Sequence, residues 1–213
     1  MLKHIIINGS VAVGKSHLQK VLTYNLKKHP RVYHEFIHKD STAMEIMRRR
    51  FAGEISALTF QNFILDKWFE ELKKEASDIN IYERLPDDAV EVFAHMSLSD
   101  EEYAFQLKRL EQLRGKLPSY KDMKAENTIW IRYDNKFTNS INPLIETIEK
   151  YLEDEKTVYI VLEVLSSTAY ANYRLRNRKE EFYTPEDLER LYETYKVYTD
   201  SKIKEIGCEV IDM

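Results

Sequence analysis

Cysteine is almost absent from this chain. Cys208 stands alone, so no internal disulfide and no cysteine-based zinc site can form. A lone thiol fits a reducing compartment, and the expected location is the cytoplasm. A strong charge of one sign is missing too. Lysine and arginine number 32 against 36 acids, and the formal balance of −4 gives no general reason to bind polyanions. Nucleic acid is therefore not an expected partner. Long apolar runs are also lacking: residues 158–165 are interrupted by Glu163 and fall far short of the roughly 20 residues a membrane span needs. No basic region precedes the first apolar run, as a secretory leader would require, so neither membrane insertion nor secretion is expected. No internal repeat, low-complexity run or evident linker divides the 213 residues, and 43% hydrophobic content supports one sizeable core. One domain over residues 1–213 is the expectation.

Glycine is scarce as well, at five residues, yet two of the five, Gly9 and Gly14, follow directly on the apolar run Ile5-Ile6-Ile7. Beyond them Leu18, Val21 and Leu22 recur at helical spacing, so a strand passes into a helix across residues 9–16. Further strands are expected at 31–36, 79–82, 128–133, 157–164 and 208–211. Helices are expected at 44–76, at 90–113, across 141–152 with Pro143 in its first turn, and after the Thr184-Pro185 start. Strands alternating with helices predict an α/β fold, with a parallel sheet covered on both faces.

Gly9-Ser10-Val11-Ala12-Val13-Gly14-Lys15-Ser16 satisfies G-x-x-x-x-G-K-[ST] between a strand and a helix, the context a phosphate-binding loop requires. Its glycines let the backbone curl round a phosphate, Lys15 adds a cation and Ser16 offers a magnesium ligand. Glu35 follows the second strand, toward the carboxyl edge where ligands bind, and is either a general base or a solvated strand end. Glu83-Arg84 follows the third strand and is either a metal ligand with a phosphate-neutralising arginine or an edge ion pair. Arg174, Arg176, Arg178 and Lys179 crowd one helix end, as a clamp on nucleotide phosphates or as a solvated basic terminus. The histidines show no metal spacing. The 14 tyrosines and the Met44/Met47 pair suit packing.

In this order the motifs resemble the deoxyribonucleoside kinase family, P-loop kinases that move the γ-phosphate of ATP to the 5′-hydroxyl of a deoxynucleoside. The resemblance rests on the phosphate loop, on Glu35, on Thr59-Phe60-Gln61, on Tyr82-Glu83-Arg84 with Phe93 beyond, and on Leu175-Arg176-Asn177-Arg178-Lys179-Glu180-Glu181. It implies a P-loop kinase fold with a parallel five-stranded sheet, an arginine-rich lid at about 172–184, ATP with Mg²⁺, and a homodimer formed by helices, with 90–113 as the candidate face. By the resemblance, residues 9–16 with Arg176 and Arg178 hold ATP, while Ser16 and Glu83 hold the metal. Glu35 takes the hydroxyl proton and Arg84 steadies that hydroxyl. Phe60, Gln61 and Phe93 line the base pocket, and Glu181 reaches the 3′-hydroxyl. Members that favour cytosine and purines carry an aspartate six residues after the Glu of Glu-Arg and an arginine seven after the glutamine. Gapless counting puts Ala89 and Trp68 there, which suits a thymine methyl; Pro86 could shift the register and put Asp88 in the place of Ala89.

The chain departs from the family pattern at Leu85-Pro86, at Phe182-Tyr183, where Gln-Gly is usual, and in a segment at 127–155 that adds a strand and a helix. Two other functions compete. A nucleoside monophosphate kinase such as a thymidylate kinase shares the loop and the lid; it needs no base at Glu35 but an extra arginine, for which Arg48, Arg49 and Arg50 are available. A nucleotide-dependent switch would use 127–155 as a partner surface and transfer no phosphate to a nucleoside.

Overall fold

The computed structural model describes residues 2–34, 40–134, 140–164, 166–176 and 183–213. Six parallel strands make one sheet: β1 (Lys3–Asn8), β2 (Arg31–Tyr33), β3 (Ile79–Glu83), β4 (Thr128–Asp134), β5 (Thr157–Glu163) and β6 (Glu209–Asp212), in the order β2-β3-β1-β5-β4-β6. The helices are α1 (Lys15–Asn25), α2 (Ser41–Phe51), α3 (Ala57–Glu71), α4 (Pro86–Asp88), α5 (His95–Ser97), α6 (Asp100–Arg114), α7 (Asn142–Glu153), α8 (Ser166–Arg176) and α9 (Pro185–Ile206), with a π-helical turn at Ala89–Ala94 between α4 and α5. The sheet thus has six strands, not the expected five. The sixth place goes to β4, which lies between β5 and β6. Segment 127–155 is therefore no edge addition: its strand is interior, and α7 buries Leu144, Ile145, Ile148, Tyr151 and Leu152.

The central strands are apolar on both faces, as parallel strands sandwiched by helices must be. Alternate residues then sort into two cores. Ile5, Ile7, Ile81, Ile131, Ile160 and Leu162 face α1 and α7. Ile6, Tyr82, Trp130, Tyr159 and Val161 face α3, α6, α9 and the π turn. Ring stacking orders the second side: Trp130 lies on Tyr159 at 4.0 Å between centroids, and Tyr33 on Tyr82 at 4.6 Å.

Side-chain caps decide where the helices break. The stretch read as helix at 44–76 divides because Ser56 accepts the Thr59 N–H at 3.1 Å and starts α3 afresh. The stretch read at 90–113 divides because Ser99 and Glu102 form a reciprocal capping box that starts α6. Thr184 and Asp187 cap α9 in the same way, as the sequence led one to expect, and Gly207 ends it with φ 67°.

Candidate functional site

The register brings the functional ends of three strands to one edge. Ile7 of β1 pairs with Glu83 of β3, Asn8 pairs with Val161 of β5, and the Arg84 N–H donates to the Ile7 carbonyl at 2.9 Å. The chain leaves β1 toward β2 and later crosses to the β5 side. Residues 9–16 accordingly open at a switch point of the sheet, the usual place for a ligand in such folds.

The loop itself is strained backbone. Gly9 has φ 133°, Ala12 φ 64° and Gly14 φ 100°. At Gly9 a Cβ would stand 2.8 Å from the Leu162 carbonyl oxygen, so no side chain fits there. Asn8 fixes the entrance by accepting the Gly9 N–H at 2.6 Å, and Asn172 of α8 donates to the Ala12 carbonyl at 3.3 Å. Lys15, 5% exposed, reaches back to donate to the Ser10 carbonyl at 2.6 Å. The Ser16 hydroxyl donates to Glu83 Oε1 at 2.7 Å. Glu83 is therefore paired with the loop rather than with its neighbour, and the edge ion pair considered for Glu83-Arg84 does not form.

Arg84 occupies the left-handed region, with φ 67°, a conformation costly for any residue with a Cβ and commonly held at functional sites. Its guanidinium donates to the Gly9 carbonyl at 3.2 Å and lies over the rings of Phe93 (5.1 Å) and Tyr195 (5.6 Å). Beneath it runs a buried polar group. Asp88 accepts from the Leu85 N–H at 2.7 Å and from the Asn8 amide, which also reaches Tyr159; the Tyr159 and Tyr120 hydroxyls bond to each other. Burial pushes the Asp88 carboxyl up to about 6. It pushes Asp87 up to about 7, against the pull of Arg114, whose Nε donates to Asp87 at 3.1 Å.

A cavity of about 670 Å³ opens over the loop. Val11, Ala12, Gly14, Lys15, Ser16 and Glu83 line one part; Phe60, Gln61, Ile64, Trp68, Arg84, Leu85, Ala89 and Phe93 line another. Asn172 and Arg176, one helical turn apart on α8, also line it. Arg176 lies over the Tyr173 ring at 5.4 Å, whereas Arg174 and Leu175 are exposed. The buried Gln61 makes no side-chain hydrogen bond to another described residue. Of the residues singled out in the sequence, Glu35, Asn177, Arg178, Lys179, Glu180, Glu181 and Phe182 lie outside the described residues. Gly9, Ser10 and Val13 belong to the loop but do not line the cavity.

Several lining residues carry no site role in the sequence reading: Met47 and Phe51 of α2, Met96, and Tyr183, Asp187, Arg190 and Leu191 around the start of α9. Met47, Arg50 and Phe51 stand at i, i+3 and i+4, so one face of α2 looks inward. Arg50 had appeared only as one of three spare cations. The Met47 spacing was legible, but its apolar character pointed to packing, which it also performs at 4% exposed.

A deoxynucleoside kinase family model matches residues 5–135, more than half of the chain. The chain belongs to the deoxynucleoside kinase family. Membership makes it an ATP-dependent nucleoside kinase and sets aside the switch protein that transfers no phosphate. Three structures of a deoxyadenosine kinase from M. mycoides share the fold. The one with bound dATP is 14% identical, with a TM-score of 0.61, covering 98% of this chain and 90% of that one. The one with bound dCTP is 16% identical at 0.64, covering 98% and 89%. The one with products dCMP and a flexible dCDP is 16% identical at 0.63, covering 98% and 90%. No curated protein matches the chain in sequence.

Proposed function

We propose that this deoxynucleoside kinase prefers thymidine, with deoxycytidine second and purines poor acceptors. The observation that carries this is the wall of the base pocket. Ala89 and Trp68 both line the cavity, whereas Asp88 is fully buried and held by Leu85 and Asn8. In support, Ala89 and not Asp88 stands in the cavity wall. Gln61 can pair with the edge of several bases and does not choose alone. Beside it, the Ala89 methyl and the Trp68 ring favour a thymine methyl over an exocyclic amine, which would be left without a partner. Competition kinetics with the four natural deoxynucleosides test this; a clear preference for deoxyadenosine or deoxyguanosine refutes it. Ala89→Asp is expected to move preference toward deoxycytidine.

For the transfer, Lys15 and Arg176 hold the donor phosphates, with Arg178 as a further lid cation. Arg84, fixed between the Gly9 carbonyl and two rings, faces the acceptor hydroxyl, and Glu35 takes that hydroxyl's proton. Glu181 addresses the 3′-hydroxyl. Mg²⁺ fits this site: Ser16 Oγ and Glu83 Oε1 are hard oxygen donors already in contact beside Lys15. They would hold the ion, which supplies charge neutralisation on the donor phosphates.

The whole chain acts as one unit in this reading, in the cytoplasm. No described helix is long and apolar enough to cross a membrane. The homodimer is carried by α6, on which Phe105 is 49% exposed. Sedimentation giving a monomer at micromolar concentration would refute the dimer.

A further inference from the structure

The arginine run on α2 does not behave uniformly. Arg48 donates to Glu45 at 2.8 and 2.9 Å and reaches Glu54 at 3.3 Å; Arg49 reaches Glu54 at 3.4 Å. Both pairs lie on the outside. Arg50, one residue on, is half-buried, lines the cavity, and has no carboxylate partner among the described residues. The carboxylates that share the cavity are engaged elsewhere: Glu83 with Ser16, and Asp187 with the Thr184 N–H at 3.0 Å. Among the described residues Arg190, also lining it, donates only to the Met96 carbonyl, at 3.4 Å.

A neutral nucleoside gives such a cation nothing to neutralise, and the donor phosphates already have Lys15 and Arg176. Arg50 instead shares its helix face with Met47 and Phe51. That face meets the wall formed by α3, where Phe60, Gln61 and Trp68 stand, and Phe51 packs edge-on against Tyr183 at 5.2 Å. The spare charge thus opens on the one cavity that the loop and the α3 wall share. A planar guanidinium with several fixed donors is suited to a phosphate.

We propose that the cavity accepts a second class of substrate, a deoxynucleoside 5′-monophosphate whose phosphate Arg50 binds, so that the enzyme carries its own product on to the diphosphate. This rests on the acceptor reading given above. An oxygen of the acceptor phosphate forms the new bond to the γ-phosphorus of ATP, and the bond from that phosphorus to the β,γ-bridging oxygen breaks. ADP leaves with the electron pair, and the other product is the deoxynucleoside diphosphate. The second pKa of a phosphate monoester is about 6, so near neutral pH the attacking oxygen carries no proton and needs no base.

The test supplies the purified chain with ATP, Mg²⁺ and either thymidine or thymidine 5′-monophosphate, and separates products by anion exchange. Both acceptors are expected to be converted. Arg50→Gln is expected to lower kcat/KM for the monophosphate at least tenfold more than for thymidine, and Arg50→Lys to recover part of the difference. Arg49→Gln should leave the ratio unchanged. Conversion of thymidine with no diphosphate from thymidine 5′-monophosphate overturns the inference and leaves the kinase reading standing. Equal losses for both acceptors in Arg50→Gln overturn it too, assigning Arg50 to a group both substrates share. Transfer to neither refutes the acceptor reading itself.

Discussion

The two faces of the sheet are built from different chemistry. Toward α1 and α7 the strands present isoleucine, leucine and valine, and the helices answer with Leu18, Leu22, Leu144 and Ile148. Toward α3, α6 and α9 they present Tyr82, Trp130 and Tyr159, together with the buried Asn8, Asp88 and Gln106. The aliphatic side needs only volume and patterning to hold together. The aromatic side also buries polar groups, among them the hydrogen-bonded Asn8 and Asp88, and it adjoins the cavity. Rigidity and chemistry are therefore separated by the thickness of one sheet, with the phosphate loop bridging its edge.

The largest effect expected from a single change falls on that bridge. Lys15→Met should lower kcat by about 10²–10³-fold, the cost of removing one aimed charge from a developing phosphoryl centre, with the thermal unfolding curve little altered. Ile160→Ala is the converse. This fully buried residue on the aliphatic face should cost about 2–5 kcal/mol of stability in urea unfolding. Its kcat at low temperature should stay within twofold. A large loss of kcat in folded Ile160→Ala protein would mean that the two faces are not separable.

Acidity distinguishes the faces next. Asp88 and Asp87 keep protons in the folded state up to about 6 and about 7, whereas the unfolded chain releases them near the ordinary value of 3.8. Between those limits the folded state binds more protons, so this contribution to stability is full below about 4 and is lost as pH rises through 6 to 7. It amounts to on the order of 3 kcal/mol for Asp88. Urea midpoints at pH 4.5 and 7.5 check it: the difference should shrink in Asp88→Asn, and an unchanged difference would acquit Asp88. The smallest effect is expected at Tyr198, whose buried hydroxyl has no hydrogen-bond partner among the described residues. Tyr198→Phe should be neutral or slightly stabilising, within about 0.5 kcal/mol by the same unfolding assay.

Features encoded locally were legible in the sequence. The phosphate loop, the Pro143 start of α7 and the Thr184 cap each depend on residues a few positions apart, and each forms where expected. Features that depend on which strands become neighbours were not. Nothing near Thr128–Asp134 says that β4 will sit inside the sheet, because that place is defined by residues 157–163 and 209–212. Likewise Asn8 and Asp88 are 80 positions apart, and only the β1–β3 pairing with the turn after Glu83 brings them together. The helix expected at 90–113 was misread because apolar periodicity continues across Leu98-Ser99 while the capping box interrupts the backbone.

The interior position of β4 also bears on how the chain is made. Thr128–Asp134 leaves the ribosome before either of its neighbours in the sheet, since β5 and β6 both come later. At about 5–20 residues per second, β5 emerges roughly 1.5 to 6 seconds later. Throughout that interval Ile129, Trp130 and Ile131 form an apolar strand with both edges open, the condition under which nascent chains pair with one another. A pause in elongation between the emergence of β4 and that of β5 would lengthen that exposure, and a holdase chaperone covering this strand would shorten it.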